Sequence, residues 1–441
     1  MNFEVVIRGQ KQELLDMCTF FIPKDWHVRI LRDTSQIGYF KELLNTEYDW
    51  VVNIDEDAFL INSEIIYYIM DYMSATDTVY CGVLDGGQMD IRPANPVSMN
   101  PFFNVFNVRQ IKRLIDYNNY DQKMTETHSE LVEKVKGDDS YIFKNLDRNK
   151  LKSAYSNCYF EGYYPFFYFL YKNFKFEILD AKLFDKKVDL NPVIREQADI
   201  TTVLSFSGRD FLYHTWYGRH YDGNQYHTER IDKIFNICRD YLDMKYITFI
   251  IQYTYDSPDR LENVRYVVND LKEKCPCSNI FVYELGKERT FFDVEGIDYK
   301  YNKISDGHLW HRTKDFNDII KEIDTPYVCL YDTDVFLDMK DHYDALRMLK
   351  EGYDVVYPYS GQFAPIDRKY LKDGIIRETG RWNFDFLGGA VYLNRNKYIE
   401  AGLENENLIT YGIDDMERYD RMKLLDYKIG RTSGVCWHIN H

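Results

Sequence analysis

The chain has 441 residues, with 55 Lys and Arg against 71 Asp and Glu and a net charge of −16, which argues against general binding of nucleic-acid backbones. An apolar share of 45% beside a charged share of 29% excludes wholesale disorder, and the length predicts two domains of ordinary size instead of one core. Aromatic residues make up 17%, tyrosine foremost, which supplies rings with polar tips for half-buried sheets and for clefts that stack on planar or sugar-like ligands.

The chain opens with the apolar run Phe3 to Ile7, which lacks the form of a signal peptide. A polar helix-like stretch and a second short strand from Val28 follow. Gln36 to Leu44 reads as a helix, and YDWVVNIDEDAFL (48–60) as a buried strand that ends in Asp55-Glu-Asp57 and an apolar-Phe-Leu triplet. Further on, FLYH ends at His214 in an aromatic setting, and the amphipathic stretch Ile231 to Leu242 closes the half. Tyr246 to Gln252 begins a new strand, and Pro258 to Lys274 shows helical spacing at Leu261, Val264, Val267, Val268 and Leu271. The predicted boundary lies at 240–245, giving domains 1–243 and 244–441 with no low-complexity linker.

The second half repeats the pattern of the first. Lys314 to Ile323 is helix-like, and TPYVCLYDTDVFL (325–337) is again a buried run that ends in Asp332-Thr-Asp334 and apolar-Phe-Leu. Trp310 and Arg312, like Arg381-Trp382, put rings and cations in loops. Gly388-Gly389 at a strand implies close approach of backbone or ligand. Gly412 precedes Asp414-Asp415 at a helix start, and VCWH ends at His438. Alternating helix, buried strand and acid predicts the α/β class, with ligands gathered at the strands' carboxyl ends.

Alternate residues at a strand end point the same way, so each Asp-x-Asp places two carboxylates on one side. Their repulsion is relieved by a divalent ion with oxygen ligands, and neutral imidazole is a common further ligand. This reading makes Asp55, Asp57 and His214 one candidate metal set, and Asp332, Asp334 and His438 another. Asp414 and Asp415 have two readings: a capped helix start, or a general base that projects into the cleft. The eight cysteines are scattered without a CxxC pair, and no 18 apolar residues run together, which predicts reduced thiols, a cytoplasmic setting and no transmembrane helix.

Residues from about 246 to 441 resemble the GT-A nucleotide-sugar glycosyltransferases, most closely the galactosyltransferase-like branch. The carrying pieces are FIIQYTYDSPDRLENVRYVV, HRTKDFNDII, YVCLYDTDVF, FLGGAVYLNRNKYIEAGLENENLITYGIDDMERYDR and GVCWHINH. The resemblance implies two tandem GT-A-like domains, Rossmann-like with a mixed central sheet. It implies Mn²⁺ or Mg²⁺ on Asp332, Asp334 and His438, Asp415 as base, Asp414 as the acceptor contact and Arg312 near the nucleotide. Trp310, Trp382, Gly388, Gly389 and Tyr411 are the further substrate-binding candidates.

The partners so implied are a nucleoside-diphosphate sugar, a UDP-sugar foremost, and a carbohydrate or glycolipid acceptor. Transfer would be inverting and would serve a bacterial surface polysaccharide, from the cytoplasm or peripherally at the inner membrane face. Tyr411 and Ile413 stand where the family has Trp and Gly, and Asp414 where it has Glu. The first half resembles the family more loosely and has no clear Asp-Asp base motif; Asp138-Asp139 and Glu161 are its candidates. The alternatives are a haloacid-dehalogenase-like Mg²⁺-dependent phosphatase, and a single active domain beside a non-catalytic partner.

Overall fold

The computed structural model describes residues 2–32, 34–86, 94–124, 127–145, 155, 160–184, 201–291, 294–305, 310–371, 375–409 and 412–440. The candidate Tyr411 lies outside the described residues. The chain divides into two compact units, Met1–Arg239 and Asp240–His441. Both are α/β units built on a mixed sheet.

The first unit contains β1 (Phe3–Arg8), β2 (Val28–Leu31), β3 (Trp50–Asp55), β4 (Ala58–Leu60), β5 (Thr78–Leu84), β6 (Met99–Phe106), β7 (Lys175–Ile178), β8 (Asp180–Leu183), β9 (Thr202–Phe206) and β10 (Arg209–His214). Its main sheet runs β2-β1-β3-β6-β5-β7, and a smaller one runs β4-β10-β9-β8. In the main sheet β1 lies parallel to β2 and β3, β6 is antiparallel to β3 and β5, and β7 is parallel to β5. β3 and β6 are buried along nearly their whole length, as central strands covered on both faces must be. A cluster rich in rings, including Phe40, Tyr80, Phe106, Phe166 and Phe167, packs on the sheet and uses much of the aromatic supply.

The second unit contains β11 (Ile247–Thr254), β12 (Asn279–Gly286), β13 (Asp298–Lys303), β14 (Tyr327–Tyr331), β15 (Val335–Phe336), β16 (Val355–Tyr357), β17 (Gln362–Ile366), β18 (Ala390–Asn394), β19 (Ile429–Arg431) and β20 (Val435–Ile439). Its main sheet runs β13-β12-β11-β14-β18-β16-β19, and its small sheet β15-β20-β17. With β13 set aside, order and directions repeat those of the first unit: β11 parallel to β12 and β14, β18 antiparallel to β14 and β16, β19 parallel to β16. The helix Pro258–Lys274 starts with Ser257 accepting from the Arg260 N–H and Pro258 in its first turn. It buries Val264, Val267, Val268 and Leu271, the stripe its spacing predicts.

The repeat extends to register. His214 pairs with Ala58 and His438 with Val335, each the residue just after its Asp-x-Asp. One residue on, the Thr215 and Ile439 N–H groups donate to the carbonyls of Asp57 and Asp334, at 2.9 and 2.7 Å. Each histidine is thereby stitched beside its second acid. No helix among the described residues is long and apolar enough to cross a membrane, and the seven described cysteines are free thiols.

Candidate functional site

In the first unit β3 ends on Asp55, and a two-residue turn delivers Asp57 to the start of β4. The Arg8 guanidinium, at the end of the neighbouring β1, donates to both Asp55 oxygens, at 2.6 and 3.3 Å. Asp57 is 4% exposed, with one oxygen 3.1 Å from His214 Nε2 and the other accepting from the Gly218 N–H at 3.0 Å. A Cβ on Gly218 would stand 3.0 Å from that carboxylate, so glycine permits the approach. Burial pushes the Asp57 carboxyl up, but His214, Gly218 and Arg230 outweigh it and hold it below the usual range.

Phe102 stacks on the His214 ring at 4.1 Å, and the His214 Nδ1 is buried without a hydrogen-bond partner. The middle residue, Glu56, turns away from the pair and accepts the N–H groups of Gln10 and Lys11 at 2.6 and 2.9 Å, fastening the loop after β1.

Among the described residues, Asp55, Asp57 and His214 form the one set of three such side chains whose donor atoms lie within 4.8 Å of one another. Two carboxylate oxygens and an imidazole nitrogen suit Mn²⁺ or Mg²⁺, and the orphaned ring nitrogen of His214 shows that its protein partners are incomplete. The set fits a divalent ion.

The second unit is more open at the same place. A cleft of about 390 Å³ lies at the carboxyl ends of β11 and β14, lined among others by Gln252, Trp310, Arg312, Asp332, Asp334, Asp414 and Asp415. Asp334 Oδ1 is 3.9 Å from His438 Nε2, while Asp332 turns to Arg312 and is less closely gathered with them. Arg312 forks between two acids from separate elements, donating to Asp332 and to Asp414, each at 2.6 Å. The Asp332 side chain keeps 36% exposure. Even so, burial at the strand tip, reinforced by Asp334, Asp415 and Asp414, pushes it up to about 6 against the pull of Arg312.

Asp414 and Asp415 begin the helix Asp414–Leu424, and both readings of them have footing. The Asp414 side chain is 3% exposed and accepts the Gly412 N–H, a local turn bond. Burial pushes Asp414 up, but Arg312 and Arg418 hold it below the usual range. Asp415 pairs with Arg418 and keeps 24% exposure toward the cleft, which suits it better to accept a proton from a ligand. Arg418 also binds Glu404 at 2.9 Å, and that pair is buried on both sides.

Gly388 and Gly389 lead into β18, and Gly389 has φ +87°. A Cβ on Gly388 would stand 3.0 Å from Asp415, so the glycine makes room for that acid. The Gly389 carbonyl accepts the Asp332 N–H at 2.8 Å, tying the pair of glycines to the acidic tip.

Other candidates sit differently. Trp310 lines the cleft. Trp382 is not among the lining residues; it donates to Glu378 at 2.8 Å and meets Trp437 edge-on. In the first unit Asp138 accepts from Tyr168 and Lys172, and burial is outweighed by these bonds and those from Ser140, which hold it low at about 2. That is the environment of a structural acid. The helix Tyr164–Asn173, which precedes β7 as Asp414–Leu424 precedes β19, starts with Tyr164 and Pro165 where the second unit has acids. The Tyr164 hydroxyl donates to the buried Asp85 at 2.7 Å.

Sequence reasoning missed Arg8, Arg418, Glu404, Gly218 and Asp85. A cation that closes a strand, as Arg8 does before Gly9, was the one visible signal.

No protein-family model matches the chain, and no curated protein does. Among solved structures, the chain is similar to the catalytic domain of Drosophila β1,4-galactosyltransferase 7 in complex with xylobiose, at 14% identity and TM-score 0.31 over 44% of this chain and 71% of that one. It is also similar to GalNAc-T7 with UDP, GalNAc and Mn²⁺, at 10% identity and TM-score 0.34 over 44% of each chain. A third likeness, at 14% identity and TM-score 0.30 over 44% and 71%, is to a mutant of the fly galactosyltransferase with manganese, UDP-Gal and xylobiose. The chain spans less than half of the GalNAc-T7 structure.

Proposed function

We propose that the second unit transfers a sugar from a nucleoside-diphosphate donor to a carbohydrate hydroxyl, with inversion, and that the first unit holds a second donor site. The observation that carries this is the cleft at the ends of β11 and β14, where Asp332 and Asp334 face Asp414 and Asp415 across about 390 Å³. Asp332, Asp334 and His438 would hold the divalent ion, and Asp55, Asp57 and His214 its counterpart. Bound there, the ion supplies Lewis-acid stabilisation of the departing diphosphate.

The chain's own residues do the rest. Asp415, paired with Arg418, takes the proton of the acceptor hydroxyl as its oxygen attacks the anomeric carbon. Asp414, which Arg312 bonds, would accept a hydrogen bond from a second acceptor hydroxyl. Arg312 and Arg260 put two cations in a strongly acidic chain where a diphosphate must lie. A UDP-sugar is the donor we favour, and a surface glycan built by successive additions the product.

The test is a thermal-shift screen of the full chain with nucleotide sugars, with and without Mn²⁺, followed by turnover of the best donor. Ligands that bind the folded state raise its midpoint by mass action, so the donor should act strongly only when the ion is present. A generic phosphoester hydrolysed with no effect of nucleotide sugars would replace this reading with the phosphatase.

A further inference from the structure

The first acid of each Asp-x-Asp is held by an arginine, yet the two arginines come from different elements. Arg8 ends β1, whereas Arg312 begins the helix Arg312–Glu322. Each guanidinium also lies over a ring of the helix that leads into the Asp-x-Asp strand, Arg8 over Tyr39 at 5.4 Å and Arg312 over Phe316 at 5.1 Å. Register makes the exchange plain. Ile7 pairs with Ile54 and Ile251 with Tyr331, so Gln252 stands where Arg8 does, and its amide donates to the Arg312 carbonyl at 2.8 Å. Similar placement of a cation from two hosts points to a chemical requirement at that spot.

We propose that Arg8 and Arg312 are exchangeable counter-cations, which keep each site closed to a divalent ion until a nucleoside diphosphate arrives to receive the guanidinium. This rests on the sugar-transfer reading above. An ion that needs Asp55 must take oxygens both of which Arg8 engages. An ion that needs Asp332 must contend with one of the two arms of Arg312. Displaced with no new partner, Arg8, 28% exposed, would be left partly buried and unpaired, and Arg312, 11% exposed, would lose one of its two acids, and both losses are costly. A diphosphate removes that cost, because its oxygens match the guanidinium fork. Ion and diphosphate then tighten each other's binding, and the coupling is reciprocal. In the second unit the exchange reaches further, since an Arg312 drawn to the diphosphate also loosens its hold on Asp414. Both arginines are positioning residues in this scheme.

The experiment follows free Mn²⁺ by its paramagnetic resonance signal, titrating MnCl₂ into the full chain with and without UDP. We expect wild type to bind Mn²⁺ weakly alone and about tenfold more tightly with UDP, from the loss of one charged hydrogen-bonded pair. Arg8→Met and Arg312→Met should each gain one tight Mn²⁺ site per chain without UDP and lose the UDP-dependent gain at that site. Arg312→Lys, which keeps the charge, should stay weak, and circular dichroism confirms that each variant is folded. Equal Mn²⁺ affinity in wild type and both Met variants, with UDP still recruited by the ion, overturns this proposal and leaves the transfer reading standing. Absence of Mn²⁺ binding in every variant, with or without UDP, removes both.

Discussion

The two units share sheet order, strand directions and the register that sets a histidine beside the second acid, yet the parts that touch those acids come from different places. The cation on the first acid rises from a strand in one unit and from a helix in the other. The ring beside the histidine behaves likewise. Phe102 stacks on His214 at 4.1 Å, whereas Phe363, on β17, lies 5.0 Å from His438. Phe103 and Ala390 pair with Ile54 and Tyr331, so Gly389 occupies the place of Phe102. The lesson is that strand pairing preserves where a group is needed, while the segment that supplies it is free to change. The units diverge most at the helix start, where Tyr164 and Pro165 stand in the places of Asp414 and Asp415.

That divergence gives the largest expected effect. Asp415→Asn should lower kcat of the transfer reaction by up to about ten-thousandfold while donor binding survives, as loss of a general base does. Tyr164→Phe should leave kcat of the same reaction unchanged; an equal loss there would mean that the first unit carries the chemistry. Next, Asp334→Asn should cost about a thousandfold in kcat/KM and remove Mn²⁺ from the second unit, with Asp57→Asn sparing that reaction. The rings sharpen the comparison through stability. Phe102 is fully buried, so Phe102→Ala should cost about 3 kcal/mol by denaturant titration, and the half-buried Phe363→Ala clearly less.

The smallest effect is one of pH. His342 is buried in the second unit, with Nδ1 bonded to the Tyr392 hydroxyl, and burial lowers it to about 3. The fold therefore keeps it neutral while the unfolded chain takes a proton below 6.5. Stability present above that pH is lost as pH falls, by about 2 kcal/mol at pH 5. Ile65 holds a comparable buried place in the first unit, so the part of the acid loss that comes from this site should belong to the second unit and vanish in His342→Leu, as read by calorimetry.

How much of this was legible follows from the range of each interaction. The Asp-x-Asp tips and the strand-helix-strand opening at Tyr246 are local patterns, written in consecutive residues, and the structure bears out the α/β alternation they implied. His214 and His438 were readable because each follows a β-strand pattern in its own half. Arg8 and Arg418 were not, since their partners are chosen by chain folding: Arg8 meets Asp55 across 47 positions and Arg418 meets Glu404 from another element. Asp138 was suspected because acids in pairs look functional, but its bonds to Tyr168 and Lys172 arise from packing that no spacing rule displays. Trp382 was equally opaque, as a ring in a loop carries no direction.

The middle letter of the motif has a consequence of its own. Glu56 fastens the peptide after β1, and a Cβ on Gly9 would stand 2.6 Å from its carboxylate, so the rim of the first unit is stapled to its acidic floor. Thr333 offers only a short hydroxyl, which accepts from Arg260 at 3.4 Å. One acidic tip is thus tied to the loop beside it by two backbone hydrogen bonds, and the other is met by a single long one. If both tips serve sugar donors as proposed, the more tightly tied first unit would admit a narrower range of them than the second.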